Sequence, residues 1–475
     1  MKKILDIFVF ILLIATVALP IAGNVNTVGS PWVIEIVDSQ GDVGREPSMV
    51  FDSNGYPHIS YYDNSNGDLK YASWNGLEWD SQTVNSTGDV GEYSSLALDA
   101  NDYPHISYFD RTNGDLKYAG WNGLEWDSQT VDFTNDSAYV GEYSALALDA
   151  NDYPHISYFH SGFVDDLKYA RWNGSAWDIQ TVDSIGDVGY ATSLALDAND
   201  YPHISYHDFS NGDLKYASWN GLEWDSQTVD STDDVGEYSA LALDANDYPH
   251  IGYYDHSNYD LKYARWNGSE WDIKIMVSAT PGIDFIGPCF SFVLDANDFP
   301  HISYHYYDHN YGYLKYAVWN GLEWDSQTVD SSSDWQIGWY SSLALDANDY
   351  PHIGYFDTTN DDLKYAYMGA ELEIGDITGG LGARSTIMNI GPVEAENVVW
   401  EIKFNGGIIF SPPGGIVTGG PINIPTTSDI SITGIPIGFG GFIIPLNITV
   451  SANADNANPV SKTFPAKLLL FIVII

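Results

Sequence analysis

Cysteine is nearly absent from this chain: Cys289 is the only one among 475 residues, so no internal disulfide holds the fold. Basic residues are also scarce, 18 against 65 acidic ones, for a formal charge of -47. Seven of the thirteen lysines, at 70, 117, 168, 215, 262, 315 and 364, occupy one repeated position, and those left over make no basic patch. Binding to nucleic acid or to an anionic membrane by phosphate neutralisation is therefore not expected, whereas cations, basic partners and neutral glycans remain open. Long apolar runs are few. The stretch Ile7 to Leu19 is shorter than the roughly 20 residues of a membrane span. With Lys2 and Lys3 before it and Ala22 and Gly23 after it, it reads as a secretory leader over residues 1–23. The mature chain is accordingly expected to be secreted or at the cell surface, with no membrane insertion. Leu468 to Ile475 is too short to cross as a helix and reads as a closing core strand, with no anchor or sorting signal after it.

What the chain has in abundance is repetition. Tyr-Pro-His-Ile recurs seven times (Phe299 replaces the tyrosine once), with His at 58, 105, 155, 203, 250, 301 and 352. The spacings of 47 to 51 residues match one four-stranded propeller blade. Each copy holds four short strand-like segments bounded by turn residues, so the fold class is all-β. Trp-Asn-Gly-x-x-Trp appears only six times, and the seventh copy stops at Tyr365-Ala366-Tyr367 without its outer strand. Trp32 to Asp38 matches that strand and precedes the first full copy. A seven-bladed propeller over 31–368, closed by its N-terminal strand, follows, because closure removes unpaired edges. From about Glu371 the composition shifts to Gly, Ile and Pro, which predicts a small β-sandwich over 371–475.

A residue that recurs in every blade serves the blade; one needed once for chemistry differs from its counterparts. By this test the seven histidines are structural, each donating a ring N–H to a turn carboxylate or backbone carbonyl. The repeated lysines are expected to be partly buried and paired with blade carboxylates. The tryptophans of Trp-Asn-Gly-Leu-Glu-Trp flank a turn in which Asn-Gly takes positive φ, and they pack the outer blade, although exposed Trp also stacks on sugars. The Asp-x-Asn-Asp turns and the Asp63 to Asp68 type of loop raise calcium as a possible cofactor. Their spacing departs from a calcium loop, Asn-Gly explains the turn unaided, and no metal ligands are assigned.

Variation gathers in the connections after the second and fourth strands of each copy, which lie on one face of the disc. Aligning the glycines that enter the innermost strands (44, 91, 141, 189, 236, 287 and 338) puts Arg45, Glu92, Glu142, Tyr190, Glu237, Pro288 and Trp339 at equivalent positions. These residues are expected to ring the mouth of the central channel as a ligand-binding rim. His160 to Asp165, His256 with Tyr259, and His305 to Tyr313 add aromatics and histidines to that face.

Leu-Ala-Leu-Asp-x-Asn-x-x-Pro-His-Ile-Ser-Tyr followed by Leu-Lys-Tyr-Ala-x-Trp-Asn-Gly resembles the repeats of secreted prokaryotic seven-bladed propellers, broadly similar to sialidase-like and lectin-like ones. Met388 to Val398 resembles the opening of CARDB-type immunoglobulin-like modules. The first resemblance implies fold more than activity. The sialidase Asp box is absent, and the five arginines, at 45, 111, 171, 265 and 384, are too dispersed for a carboxylate-binding cluster. No catalytic residue is assigned. The expected function is recognition of a glycan or surface protein on the variable face. The alternatives are a glycoside hydrolase or polysaccharide lyase using rim carboxylates such as Glu92 and Glu142, and a non-catalytic envelope protein.

Overall fold

The computed structural model describes residues 31–475 apart from 135–137, 281–283, 334, 336, 371, 378–382, 392, 406–408, 412–415, 426–427, 435–436, 439–443, 455, 470–471 and 475. The expected leader, residues 1–23, lies outside the described residues. Two compact units are present, one centred on Ile34–Ala366 and the other on Tyr367–Ile475.

The first unit is seven four-stranded antiparallel sheets. Blade 1 runs from axis to rim through Val43–Phe51, Pro57–Asp63, Asp68–Trp74 and Trp79–Asn85. Blades 2 to 6 repeat that order, starting at Val90, Tyr139, Val188, Val235 and Phe285. In blade 7 the order is Ser341–Leu345, Pro351–Asp357, Asp362–Met368 and then Trp32–Asp38, so the first strand of the chain forms the rim of the last blade. Neighbouring innermost strands pack against one another around the whole ring, blade 7 on blade 1 included. A seven-bladed propeller closed by an exchanged strand results.

Adjacent blades are joined by a charged clip that follows from the repeat. At five of the seven interfaces the aspartate near the end of the outer strand reaches the next blade and meets its lysine and its second-strand tyrosine. Asp230 accepts from Lys262 Nζ at 2.6 Å and from the Tyr253 hydroxyl at 2.7 Å. Asp183 does the same for Lys215 and Tyr206, at 2.5 and 2.8 Å. Asp38, on the exchanged strand, holds Lys70 and Tyr61. Asp132 faces Lys168 and Asp330 faces Lys364 in the same way. The two interfaces whose outer strand ends otherwise show what the aspartate does. Where Asn85 or Val277 stands instead, Lys117 and Lys315 turn to the hydroxyls of Thr130 and Thr328. Asn85→Asp should therefore return a carboxylate to Lys117 and Tyr108 and raise the denaturant midpoint, by about 1 kcal/mol in stability. No gain over the native chain would contradict this account of the clip.

The repeated histidines differ in detail from expectation. Nδ1 of each meets the hydroxyl of the third-strand tyrosine, as for His250 and Tyr263 at 2.7 Å, and Nε2 stands 3.5 to 3.9 Å from the turn carboxylate. In five of the six copies the second tryptophan of Trp-Asn-Gly-x-x-Trp packs edge-on against that tyrosine in the preceding blade, as Trp224 does on Tyr169 at 5.2 Å. His, Tyr and Trp thus form one inter-blade stack, and the aromatic repeat serves packing. In the Trp-Asn-Gly turn only the glycine takes positive φ, while Asn75 Oδ1 accepts from the amides of Leu77 and Glu78. The loops considered for calcium spend their oxygens on backbone: Asp99 Oδ1 accepts from Asn101 and Tyr103, and Asp63 Oδ1 from Ser65 and Asn66.

The second unit has a three-stranded sheet (Leu372–Ile374, Ala383–Asn389, Asp429–Gly434) and a five-stranded one in which Ala395–Asn405 and Ile444–Ala454 are central. Leu372, Ile387 and Ile432 from the first share a core with Val398, Ile402, Ile448 and Val450 from the second, a small β-sandwich. The terminal strand Ile472–Ile474 pairs with Lys467–Leu469, and its side chains lie outside the described residues.

Candidate functional site

The connections after the second and fourth strands are hydrogen-bonded to each other in blade after blade. Asn64 N donates to Asp42 O, Arg111 N to Asp89 O, Phe209 N to Asp187 O and His256 N to Asp234 O, each at 2.9 Å. Both variable loop sets therefore share one face.

The residues that line the channel are not the expected ones but their successors. Its wall, around about 230 Å³, is made by Glu46, Tyr93, Tyr143, Ala191, Tyr238, Cys289 and Tyr340 with the residues that follow them. The reason lies in the backbone. The innermost strands of blades 1 to 5 break register twice at this point, as between Val90 and Glu92 and between Glu92 and Ser95. Glu46, Tyr93, Tyr143, Ala191 and Tyr238 stand at φ of 48° to 54°, a region that bulky side chains rarely adopt. The bulge turns the second residue after the glycine inward and leaves the first on the loop face. The glycine itself is demanded by its neighbour: at φ 113°, a Cβ on Gly91 would stand 2.7 Å from Cα of Leu69. Glu46 is the one carboxylate in the wall among the described residues. It accepts from the Tyr93 amide at 2.5 Å, and burial raises its pKa to about 7.

The expected rim residues divide into three groups. Arg45 and Glu92 are spent on ion pairs, Arg45 with Asp42 at 2.8 Å and Glu92 with Arg111 at 2.6 Å. Glu142 lies in blade 3, where burial, with Glu92 nearby, raises its pKa. Tyr190, Glu237 and Trp339 belong to blades 4, 5 and 7, where the face is aromatic. Tyr190 fills the gap left by Ala191 in the tyrosine ring, sharing a hydrogen bond with Tyr143 at 2.5 Å. Pro288 precedes Cys289 of the channel wall.

Of the expected residues, Tyr190 and Glu237 are brought together, in a cleft of about 400 Å³ across blades 3 to 5. Phe159, Asp165, Asp187, His207, Phe209, Asp234 and His256 line it with them. His207 was overlooked in the sequence, yet the aligned copies mark it. The corresponding residues are Tyr62, Phe109, Phe159, Tyr254 and Phe356, with His305 the other exception. In blade 1 the Tyr62 hydroxyl reaches Asp89 of the next blade at 2.6 Å. The shorter His207 stops 3.6 Å from the matching Asp234, and the space it leaves belongs to the cleft. Its side chain is 4% exposed, and neither ring nitrogen has a hydrogen-bond partner. Burial lowers its pKa, despite Asp234, so the ring is neutral at pH 7. Glu237 is raised by burial and held by His256 Nδ1 at 3.3 Å.

From His256 a line of rings continues across blades 5 to 7. His256 to Tyr259 is 6.1 Å between centroids, Tyr259 to Phe285 6.1 Å and Phe285 to His305 6.2 Å. His305 stacks on Trp339 at 5.7 Å, and Trp339 meets Trp335 edge-on at 4.9 Å. Tyr259 and Trp335 keep 41% and 45% of their surface exposed.

No protein-family model and no curated protein matches this chain. Solved structures with a similar fold include an ulvan lyase, described as a new polysaccharide lyase family, at 15% identity. That likeness covers 72% of this chain and 95% of the lyase, with a TM-score of 0.48. AofleA from Arthrobotrys oligospora is similar at 12% identity over 64% of this chain and 92% of its own, TM-score 0.42. The SapL1 lectin, solved with alpha methyl fucoside, is similar at 13% over 60% and 97%, TM-score 0.41. Likenesses at this level carry no argument about activity, which rests on the residues above.

Proposed function

We propose that this chain is an extracellular or cell-surface binding protein whose variable-loop face recognises a glycan, with the C-terminal sandwich, CARDB-like in its opening residues, as spacer or attachment module. The observation that carries this reading is the aromatic line from His256 to Trp335. Five inter-ring steps of 4.9 to 6.2 Å link its rings; His305 at the centre is buried, while Tyr259 at 41% and Trp335 at 45% exposed offer ring surface on which sugar units can stack. Blades 1 and 2 bear ion pairs at the matching places, so the strip belongs to the individual blades and not to the scaffold.

Tyr259→Ala combined with Trp335→Ala removes two exposed rings and should leave the fold intact. Binding to a panel of polysaccharides should weaken about tenfold or more for the recognised glycan, roughly 1.4 kcal/mol, by affinity electrophoresis or calorimetry. Unchanged binding would remove the strip as the contact surface. Turnover of that polysaccharide, abolished by Glu142→Gln or Glu237→Gln, would convert the reading to a hydrolase or lyase. Envelope association without any glycan binding would favour a structural role.

A further inference from the structure

The cleft across blades 3 to 5 has a charge pattern that selects its ligand. Asp165, Asp187, Asp234 and Glu237 line it, and among the described residues no lysine or arginine does. A sulfated or uronate sugar would enter against four carboxylates with no cation to receive it, which costs binding energy at every such contact. His256 Nδ1 stands 3.3 Å from Glu237, and among the described residues no lysine or arginine of the lining faces the other three carboxylates. A cluster of acids alone would be a solvated surface. This one surrounds His207, whose side chain is 4% exposed and whose two ring nitrogens have no hydrogen-bond partner. A buried polar group is normally paired, and an unpaired one lining a cleft marks a place for a ligand atom. Neutral imidazole offers one donor and one acceptor, the pair that a sugar hydroxyl requires. Phe209, 73% exposed beside His207 at 6.1 Å, supplies an apolar ring at the opening, and Tyr190 and Phe159 supply the wall. Aromatic rings next to carboxylates are the surroundings in which an ammonium group is held.

We infer that this cleft binds a sugar bearing a free, protonated amine, its ammonium facing Asp187 and Asp234 and a ring hydroxyl bonded to His207. This rests on the glycan-binding reading above and adds to it the chemical class of the unit held beside the aromatic strip. The volume of about 400 Å³ lies in the ordinary range for small-molecule pockets.

The test uses the full chain, a glucosamine hexamer, and the same hexamer fully N-acetylated, which keeps the rings and loses the charge. Calorimetry should show the free-amine oligomer bound about tenfold or more tightly than the acetylated one, with the difference shrinking as salt rises. His207→Tyr and His207→Phe install residues native to this position in other blades, so folding is retained while the cleft is filled. Both should abolish the preference for the amine and leave the thermal midpoint in place. Equal affinity for the two hexamers, or a preference untouched by His207→Tyr, overturns the inference. So does a lysine-rich peptide or calcium chloride alone that binds the cleft as tightly and is lost with His207→Tyr. If neither hexamer binds while a neutral polysaccharide still binds in a manner sensitive to Trp335→Ala, the cleft assignment fails and the glycan reading stands. If no polysaccharide binds at all, both fail together.

Discussion

Asp230→Ala is expected to be among the most damaging single changes in the propeller, lowering stability by about 3 to 5 kcal/mol. The side chains of Asp230 and Lys262 are 4% and 9% exposed, and the carboxylate also takes the Tyr253 hydroxyl and the Thr232 amide. Truncation leaves an ammonium and a phenol buried without their acceptor, so the cost is that of the orphaned charge, not the net worth of the pair. Asp225→Ala, on the exposed face of the same strand, supplies the control and should stay within about 0.5 kcal/mol of the native chain. Adding Lys262→Met to Asp230→Ala should recover part of the loss, since an apolar replacement removes the stranded charge. Acid supplies a second readout. Burial pushes the Asp230 carboxyl up, but hydrogen bonds from Lys262, Tyr253 and Thr232 outweigh it and hold the pKa below the ordinary value. A depressed folded pKa contributes stability that is complete above the unfolded value of about 3.9 and is lost as pH falls through the folded one. The gap between native and variant chains in guanidinium midpoint should therefore close on acidification below about pH 4. A gap independent of pH, or a cost no larger than that of Asp225→Ala, would mean that the clip does not hold the blades.

The repeat made the scaffold legible, for a physical reason: each blade must bury the same faces against the next, so the same residues recur at the same strand positions. The closing strand was readable because one outer strand was lacking at one end of the repeat array and one was in excess at the other. The lysines were readable as paired, but their partners lie in the preceding blade, and the contrast of Asn85 and Val277 with the five aspartates gains meaning only once that register is known. The candidate site was half legible. The variable connections do share one face, and Tyr190 and Glu237 do meet in one cleft. The channel wall is formed one residue beyond the residues expected at its mouth, and in blades 1 to 5 the double register shift after the glycine breaks the alternation that regular pleating would give. His207 lay in plain view as a departure from Tyr or Phe. Its importance depends on the 3.6 Å shortfall to Asp234, a distance between blades that no pattern within one repeat records.

Glu46→Gln should stabilise the propeller at pH 8 by about 2 kcal/mol, allowing for water in the channel, and change little at pH 4. The carboxyl sits in the channel wall with its pKa raised to about 7 from 4.5 by burial, with Glu92 adding to the shift and the Tyr93 amide, Arg45 and Arg111 opposing it. An acid whose folded pKa is raised binds its proton more tightly when folded than when unfolded. Stability therefore falls as pH rises from about 4.5 through about 7, and stays low above that. Glutamine keeps an oxygen for the Tyr93 amide, so the bond that fixes the left-handed turn survives while the charge does not. Denaturant melts of both chains across pH 4 to 8 decide the matter: the variant's advantage in midpoint should grow from near zero at pH 4 to its full size by pH 8, the other titrating groups being common to both chains. Parallel curves would show that lumen water solvates the carboxylate. In that case the tyrosine ring around it would be a wet pore, and the low-dielectric constriction that the raised pKa implies would not exist.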